Sequence, residues 1–268
     1  MIAEIGGRRF EWGTRTYVMG IVNITPDSFS GDGLTDQYAA VEQGLRMVQE
    51  GADMLDVGGE STRPGHEPVS AGEEILRTEA VVWRLAHEAG VPVSIDTYKV
   101  EVAEAAVAAG ATILNDVWGL TRSPSMADLA ARAGCAIVVM HNQDGTQYSG
   151  DLMEEIKRFL RESVRLAMDA GVPKERVIID PGIGFGKTAD QNWDVLRRLG
   201  ELRELDQPVL LGTSRKSFIG KLLDLPVDDR VEGTTATVVA GVLRGADIVR
   251  VHDVLEMTRA VRVADRLR

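Results

Sequence analysis

AGVPVSIDTYKVEVAEAAVAAGATILND, residues 89–116, carries the pattern that decides the fold. Two short apolar runs, Val93 to Asp96 and Ile113 to Asp116, each follow a glycine and each end on polar residues. The longer segment between them has helical spacing. A buried strand, a helix, a glycine that ends the helix and a second buried strand form the unit from which parallel sheets are built.

The unit recurs in both directions. Further runs are Tyr17 to Ile24, Met54 to Gly58, Ala136 to Met140, Val177 to Asp180, Val209 to Gly212 and Ile248 to Val251. Gly51, Gly90, Gly110, Gly134, Gly171 and Gly245 stand where a helix should stop and the next strand begin. In the longest helical segment Leu152, Ile156, Phe159, Leu160, Val164 and Ala167 recur at three- and four-residue steps, a stripe made for burial. Eight units in a row imply a closed α/β barrel, a single (β/α)8 TIM-barrel domain over 1–268. A doubly wound sheet would need a glycine-rich turn after its first strand, where this chain has TPDSFS instead. The first and second βα loops, 25–35 and 60–68, are long for such connections.

Composition agrees. The 268 residues are 44% hydrophobic and 26% charged, without a polar low-complexity run or a Pro/Gly/Ser-rich linker. A formal net charge of −11 disfavours nucleic-acid phosphates and anionic lipid as partners. No apolar stretch approaches the roughly 18 residues of a membrane span, and MIAEIGGRRFEWG lacks a signal-peptide core. The lone Cys135 excludes an intramolecular disulfide and reads as a small buried thiol. A cytoplasmic protein is expected.

The C-terminal ends of the eight runs carry Asn23, Asp56 with Glu60 to Arg63, Asp96, Asn115-Asp116, His141-Asn142, Asp180, Ser214 to Lys216, and Arg250 with His252. In a barrel those ends converge on the catalytic face. One such Asp is ordinarily a helix cap, but eight polar strand ends together are not explained by capping. Asp96, Asn115 and Asp180 suit a flat heterocycle with several N–H donors, and Lys216, Arg250 and His252 gather on the last two runs, where barrels bind phosphate. A phosphorylated heterocycle is the expected substrate. Gly186-Lys187-Thr188 lacks the first glycine of a nucleotide P-loop, and no metal-ligand motif stands out. Taken singly, Phe185 reads equally as core and Gly182 and Gly184 as backbone-permissive positions. His66 and His87 read as surface, and His141 as either lining or support.

Eight ordered strings carry a family resemblance: MGIVNITPDSFS (19–30), DVGGESTRPG (56–65), DTYK (96–99), LNDVWG (114–119), MHN (140–142), DPGIGFGK (180–187), GTSRKS (212–217) and RVHD (250–253). Together they resemble the dihydropteroate synthases along nearly the whole chain. The resemblance implies a homodimeric transferase that joins p-aminobenzoate to a pterin diphosphate. It implies that Asp180 and Asn115 bind the pterin's pyrimidine edge, with Asp96 and Lys216 on the ring, and that Arg250 and His252 hold the diphosphate. Those five residues other than Asn115, namely Asp96, Asp180, Lys216, Arg250 and His252, are the implied catalytic set. Asn23 would ligate the accompanying Mg²⁺ and Thr62 would contact substrate, while Phe185, Ser217, Lys216, Arg63 and Phe29 would border the p-aminobenzoate site. Gly31-Asp32-Gly33 and His141 to Asp144 depart from the usual strings. A methyltetrahydrofolate:corrinoid methyltransferase shares the barrel and a similar pterin floor, but has no need of TPDSF, STRPG and SRKS. A pterin carrier without turnover is the non-enzymatic alternative.

Overall fold

The computed structural model describes residues 1–24, 33–60 and 68–268, with the backbone alone at 33–36. In chain order its elements are β1 (Ile2–Ile5), β2 (Arg8–Glu11), β3 (Tyr17–Asn23), α1 (Gly33–Gln49), β4 (Met54–Gly58), α2 (Ala71–Glu88), β5 (Val93–Asp96), α3 (Val100–Ala108), β6 (Ile113–Asp116), α4 (Ser125–Ala133), β7 (Ala136–Met140) and α5 (Leu152–Asp169). They continue with β8 (Val177–Asp180), α6 (Ala189–Arg197), β9 (Leu210–Leu211), α7 (Ser217–Leu223), α8 (Val231–Leu243), β10 (Ile248–Val251) and α9 (Val254–Ala264). Helix α1 already begins at Gly33, so the first loop is shorter than the 25–35 read from sequence.

Strands β3 to β10 pair in parallel in the order β8-β7-β6-β5-β4-β3-β10-β9. The ring closes through one bridge, Ile179 to Val209, with Ile179 N–H donating to Pro208 O at 2.9 Å. This is the expected (β/α)8 barrel. Because the strands are buried on both faces, their sequences read as continuous apolar runs rather than alternating ones. The β9 run expected at Val209 to Gly212 shrinks to two residues.

The period of two then divides those runs into two cores. Val18, Val22, Leu55, Val57, Ile95, Leu114, Ile137, Val139, Ile179 and Val249 belong to the large outer core with the helices. Met19, Met54, Ile113, Val138, Ile178, Leu210 and Ile248 form a separate inner core with Ile5, Phe10 and Trp12. Those last three come from the β1–β2 hairpin, an element that sequence analysis left unread. Its signal is Gly6-Gly7 between two alternating segments, and both glycines have positive φ, 55° and 74°, as a tight two-residue hairpin turn requires. Phe10 packs against Trp12 and Tyr17 with ring centroids 5.4 and 4.9 Å apart, and Trp12 Nε1 donates to Glu175 O at 3.0 Å. The hairpin thus closes the N-terminal end of the barrel, and the opposite end is left for chemistry.

Among the described residues no helix is long and apolar enough to cross a membrane. Cys135 is buried as expected, and burial pushes its thiol up to about 11.

Candidate active site

The phase that points Met54, Ile113, Ile178 and Ile248 inward near the bottom also points Asp56, Asn115, Asp180 and Arg250 inward two residues further on. Pairing aligns them: Asn23 lies opposite Gly58, Gly58 opposite Asp96, and Asp96 opposite Asn115, while Asp180 lies opposite Met140. One register row therefore delivers three of the expected polar groups to neighbouring strands.

At the centre is Arg250. Its Nε donates to Asp56 Oδ2 at 2.5 Å and its Nη2 to Asp96 Oδ2 at 2.6 Å. Asn115 Nδ2 donates to the same Asp56 oxygen at 3.0 Å. Asp56 is fully buried, yet Asp56 Oδ1 and Asp96 Oδ1 have no partner among the described residues. Buried acceptors without a donor are costly unless a ligand supplies one. Burial pushes Asp96 up to about 7 against the pull of Arg250, and the neighbouring Asp56 adds to the rise. Arg250 is itself disfavoured by burial, but Asp56 and Asp96 more than compensate and leave it raised.

Asp56 was not among the residues singled out for binding. Its signal was available, since it shares the inward phase of Met54, but it stands short of the strand end and its partner is 194 residues away. Arg250, expected at the diphosphate, is here engaged by two carboxylates, which take two of its five N–H donors.

Asp180 ends β8 in the same mouth. It accepts Gly182 N–H at 2.6 Å, and burial raises its carboxyl against the opposing charge of Lys216. Lys216 donates to Ile183 O and sits 4.7 Å from the Phe185 ring centroid. Burial pushes its ammonium down to about 8, with Asp180 opposing. Phe185 is half-buried and Ser217 exposed at the start of α7, so both stand at the rim. His252 Nδ1 shares a 2.9 Å hydrogen bond with Ser214 Oγ, which in turn accepts His252 N–H at 3.1 Å. Asn23 Oδ1 and Asp96 Oδ2 flank Gly58, where an added Cβ would lie 3.7 and 3.9 Å from them. Thr62, Arg63, His66 and Phe29 lie outside the described residues.

Other strand-end groups turn out to be structural. Asp116 points away from the mouth and accepts Trp118 N–H at 2.8 Å and Leu120 N–H at 2.7 Å. Thr188, last of the rejected P-loop string, caps α6: its hydroxyl accepts Gln191 N–H at 3.2 Å and Gln191 Oε1 accepts Thr188 N–H at 2.7 Å. His87 is exposed. His141 is buried, with its Nδ1 2.9 Å from Lys187 Nζ.

The comparisons with known proteins agree with this geometry. The sequence profile of the pterin binding enzymes matches residues 19–252. The chain is 51% identical over 264 residues to a dihydropteroate synthase of Clostridium beijerinckii, covering 98% of both. It superposes with a TM-score of 0.94 on a crystal structure of dihydropteroate synthase from Clostridium difficile in the presence of pteroic acid, at 51% identity over 96% of this chain and 98% of that one. A Xanthomonas albilineans dihydropteroate synthase with 4-aminobenzoic acid gives a TM-score of 0.93 at 43% identity, over 99% of this chain and 97% of that one. With its barrel, its acidic floor and this degree of likeness, the chain belongs to the pterin binding enzymes and, within them, to the dihydropteroate synthase family of transferases.

Proposed function

We propose that the chain condenses (7,8-dihydropterin-6-yl)methyl diphosphate with p-aminobenzoate to give 7,8-dihydropteroate and diphosphate. The observation that carries this reading is the floor of the mouth. Asp56, Asp96 and Asp180 present carboxylate oxygens, two of them buried without a donor, beside the Asn115 amide and the Arg250 guanidinium. A pterin edge offers ring and exocyclic N–H groups to such acceptors.

Asp180 accepts from the pyrimidine edge with Asn115, Asp96 meets a further ring nitrogen, and Lys216 reaches the ring beside Phe185. Arg250 and His252 hold the diphosphate. Phe185, Ser217 and Lys216 border the amine site together with Arg63 and Phe29, and Thr62 contacts substrate from the second loop. The aniline nitrogen attacks the exocyclic methylene as the C–O bond breaks, the electron pair leaves on diphosphate, and the nitrogen's surplus proton passes to the departing phosphate or to water. The protein abstracts no carbon-bound proton. Its contribution is to hold the amine in line and to place positive charge where negative charge develops.

Among the described residues no three His, Cys, Asp or Glu side chains gather into a resident metal site. A neutral oxygen donor at the mouth is the Asn23 amide, 3.7 Å from where a Cβ on Gly58 would lie. One protein oxygen suits a Mg²⁺ that keeps its waters and arrives on the diphosphate. When bound, the ion neutralises charge on the leaving group. Asn23→Ala is accordingly expected to raise the Mg²⁺ concentration needed for half-maximal turnover about tenfold while leaving affinity for the unphosphorylated pterin alcohol unchanged. An unaltered Mg²⁺ titration removes Asn23 from this role.

A homodimer in the cytoplasm completes the reading. It is supported by the apolar Leu222, Leu223, Leu243 and Val263, left exposed on α7, α8 and α9, and by a single buried thiol that needs no oxidising compartment.

A further inference from the structure

Lys187 closes the DPGIGFGK segment and is buried, 8% exposed. Its Nζ meets His141 Nδ1 at 2.9 Å, Gly182 O at 2.9 Å and Phe185 O at 3.0 Å. Three acceptors match the three N–H donors of an ammonium, whereas a neutral amine would set its lone pair against one of them. No donor is left over for a substrate. His141 is buried and pushed down to about 3, first by burial and then by the neighbouring Lys187 charge, so its ring is neutral. Accepting at Nδ1 places its proton on Nε2.

The groups bonded to Lys187 are thus all uncharged. The charged side chains that face it are Asp180 from β8 and Lys216 from the loop before α7. Asp180 in turn is faced by Lys216, Lys187 and Arg250. The link is also mechanical. Gly182 gives its N–H to Asp180 and its carbonyl to Lys187. Gly182 has φ 70°, and a Cβ there would lie 1.9 Å from His141 O. Lys216 holds Ile183 O, and Tyr148 donates its hydroxyl to Gly186 O at 2.8 Å. The carbonyls from Gly182 to Gly186, Gly184 excepted, are each held by a side chain.

We propose that Lys187 is a positioning residue for pterin binding: it touches neither substrate, ties the 182–185 turn in place, and supplies the charge behind Asp180 that keeps this carboxylate ionised when a ring N–H approaches. The proposal rests on Asp180 being the pterin anchor. Burial drives Asp180 towards its neutral form and Lys187 down to about 7, and each opposes the other's loss of charge. Without Lys187 the carboxyl of Asp180 rises further, so pterin binding should be lost at a higher pH on acidification.

The test is affinity for 6-hydroxymethylpterin, titrated by fluorescence between pH 5 and 7, where the probe is uncharged and keeps its ring N–H. In the wild type, affinity falls as the pH drops through the Asp180 ionisation. Lys187→Met is expected to move that midpoint up by roughly one pH unit and to weaken binding about tenfold below it, with the difference narrowing towards pH 7. Lys187→Gln keeps two donors for the carbonyls without the charge and reads the same way should the Met variant not fold. Lys187→Arg should restore the midpoint, and Tyr148→Phe, which loosens the turn without changing charge, should not move it. If Asp180→Asn abolishes binding while folded Lys187→Met and Lys187→Gln keep the wild-type midpoint, the Lys187 proposal is overturned alone. If Asp180→Asn binds as the wild type does, the anchor reading falls and this proposal with it.

Discussion

Asp180→Asn is expected to abolish measurable pterin binding under conditions where the wild type is saturated, while the barrel stays folded. The substitution keeps the shape of the side chain, and its amide oxygen still accepts the Gly182 N–H that Asp180 takes at 2.6 Å. What changes is the second atom, an acceptor replaced by an N–H₂ donor that now faces a ring N–H. Losing a charged hydrogen bond and burying two opposed donors costs about 1–3 kcal/mol for each bond so disrupted, or about 5- to 150-fold in affinity per bond. Calorimetric titration with the pterin diphosphate measures the loss, and a circular-dichroism melt establishes that the variant is folded. Unchanged affinity in a folded variant removes Asp180 from the floor.

Arg250→Ala should have two separable effects. The first is on stability, because the guanidinium is the shared partner of Asp56, fully buried, and of Asp96. Removing one side of a buried ion pair typically costs about 3–5 kcal/mol, here an upper bound because a carboxyl already near 7 can take up a proton instead. With the arginine gone Asp96, already raised to about 7, loses the charge that holds it down and titrates further above its unfolded value, so the folded protein binds more protons. Stability of the variant therefore falls as pH rises and recovers on acidification, with the deficit smaller at about pH 5 than at pH 8. Thermal melts at the two pH values measure it; a deficit independent of pH contradicts the ion-pair account. The second effect is on recognition. Affinity for the pterin diphosphate should drop at least tenfold more than affinity for the pterin alcohol, and equal losses for the two ligands argue against Arg250 as a diphosphate contact.

The strands were legible because a parallel barrel buries both faces of each one. Runs such as Val93 to Asp96 and Ile113 to Asp116 have the same bounds in the structure as in the sequence. Asp96, Asn115, Asp180 and Arg250 were legible for a related reason: a polar residue that interrupts an apolar run at its C-terminal end must face either the mouth or a loop. The same rule cannot distinguish those two outcomes. Asp116 follows Asn115 directly, and the period of two turns it to the loop, where it holds Trp118 and Leu120. Asp56 was underread because its importance depends on Arg250, which reaches it past β3 from a strand 194 residues further along the chain. Lys187 and His141 were underread for the same reason, since their pairing joins two loops 46 residues apart. The hairpin was marked by Gly6-Gly7, but its strands are four residues each and half exposed, too short for alternation to stand out.

Catalysis of pterinylmethyl transfer is tested most directly by the release of diphosphate from (7,8-dihydropterin-6-yl)methyl diphosphate, followed continuously with a coupled phosphate assay. Release is expected only when pterin diphosphate, p-aminobenzoate and Mg²⁺ are all present, with one 7,8-dihydropteroate formed for each diphosphate and no release by Asp180→Asn. Tight pterin binding with no release on adding p-aminobenzoate, or release that does not need the amine, would contradict it.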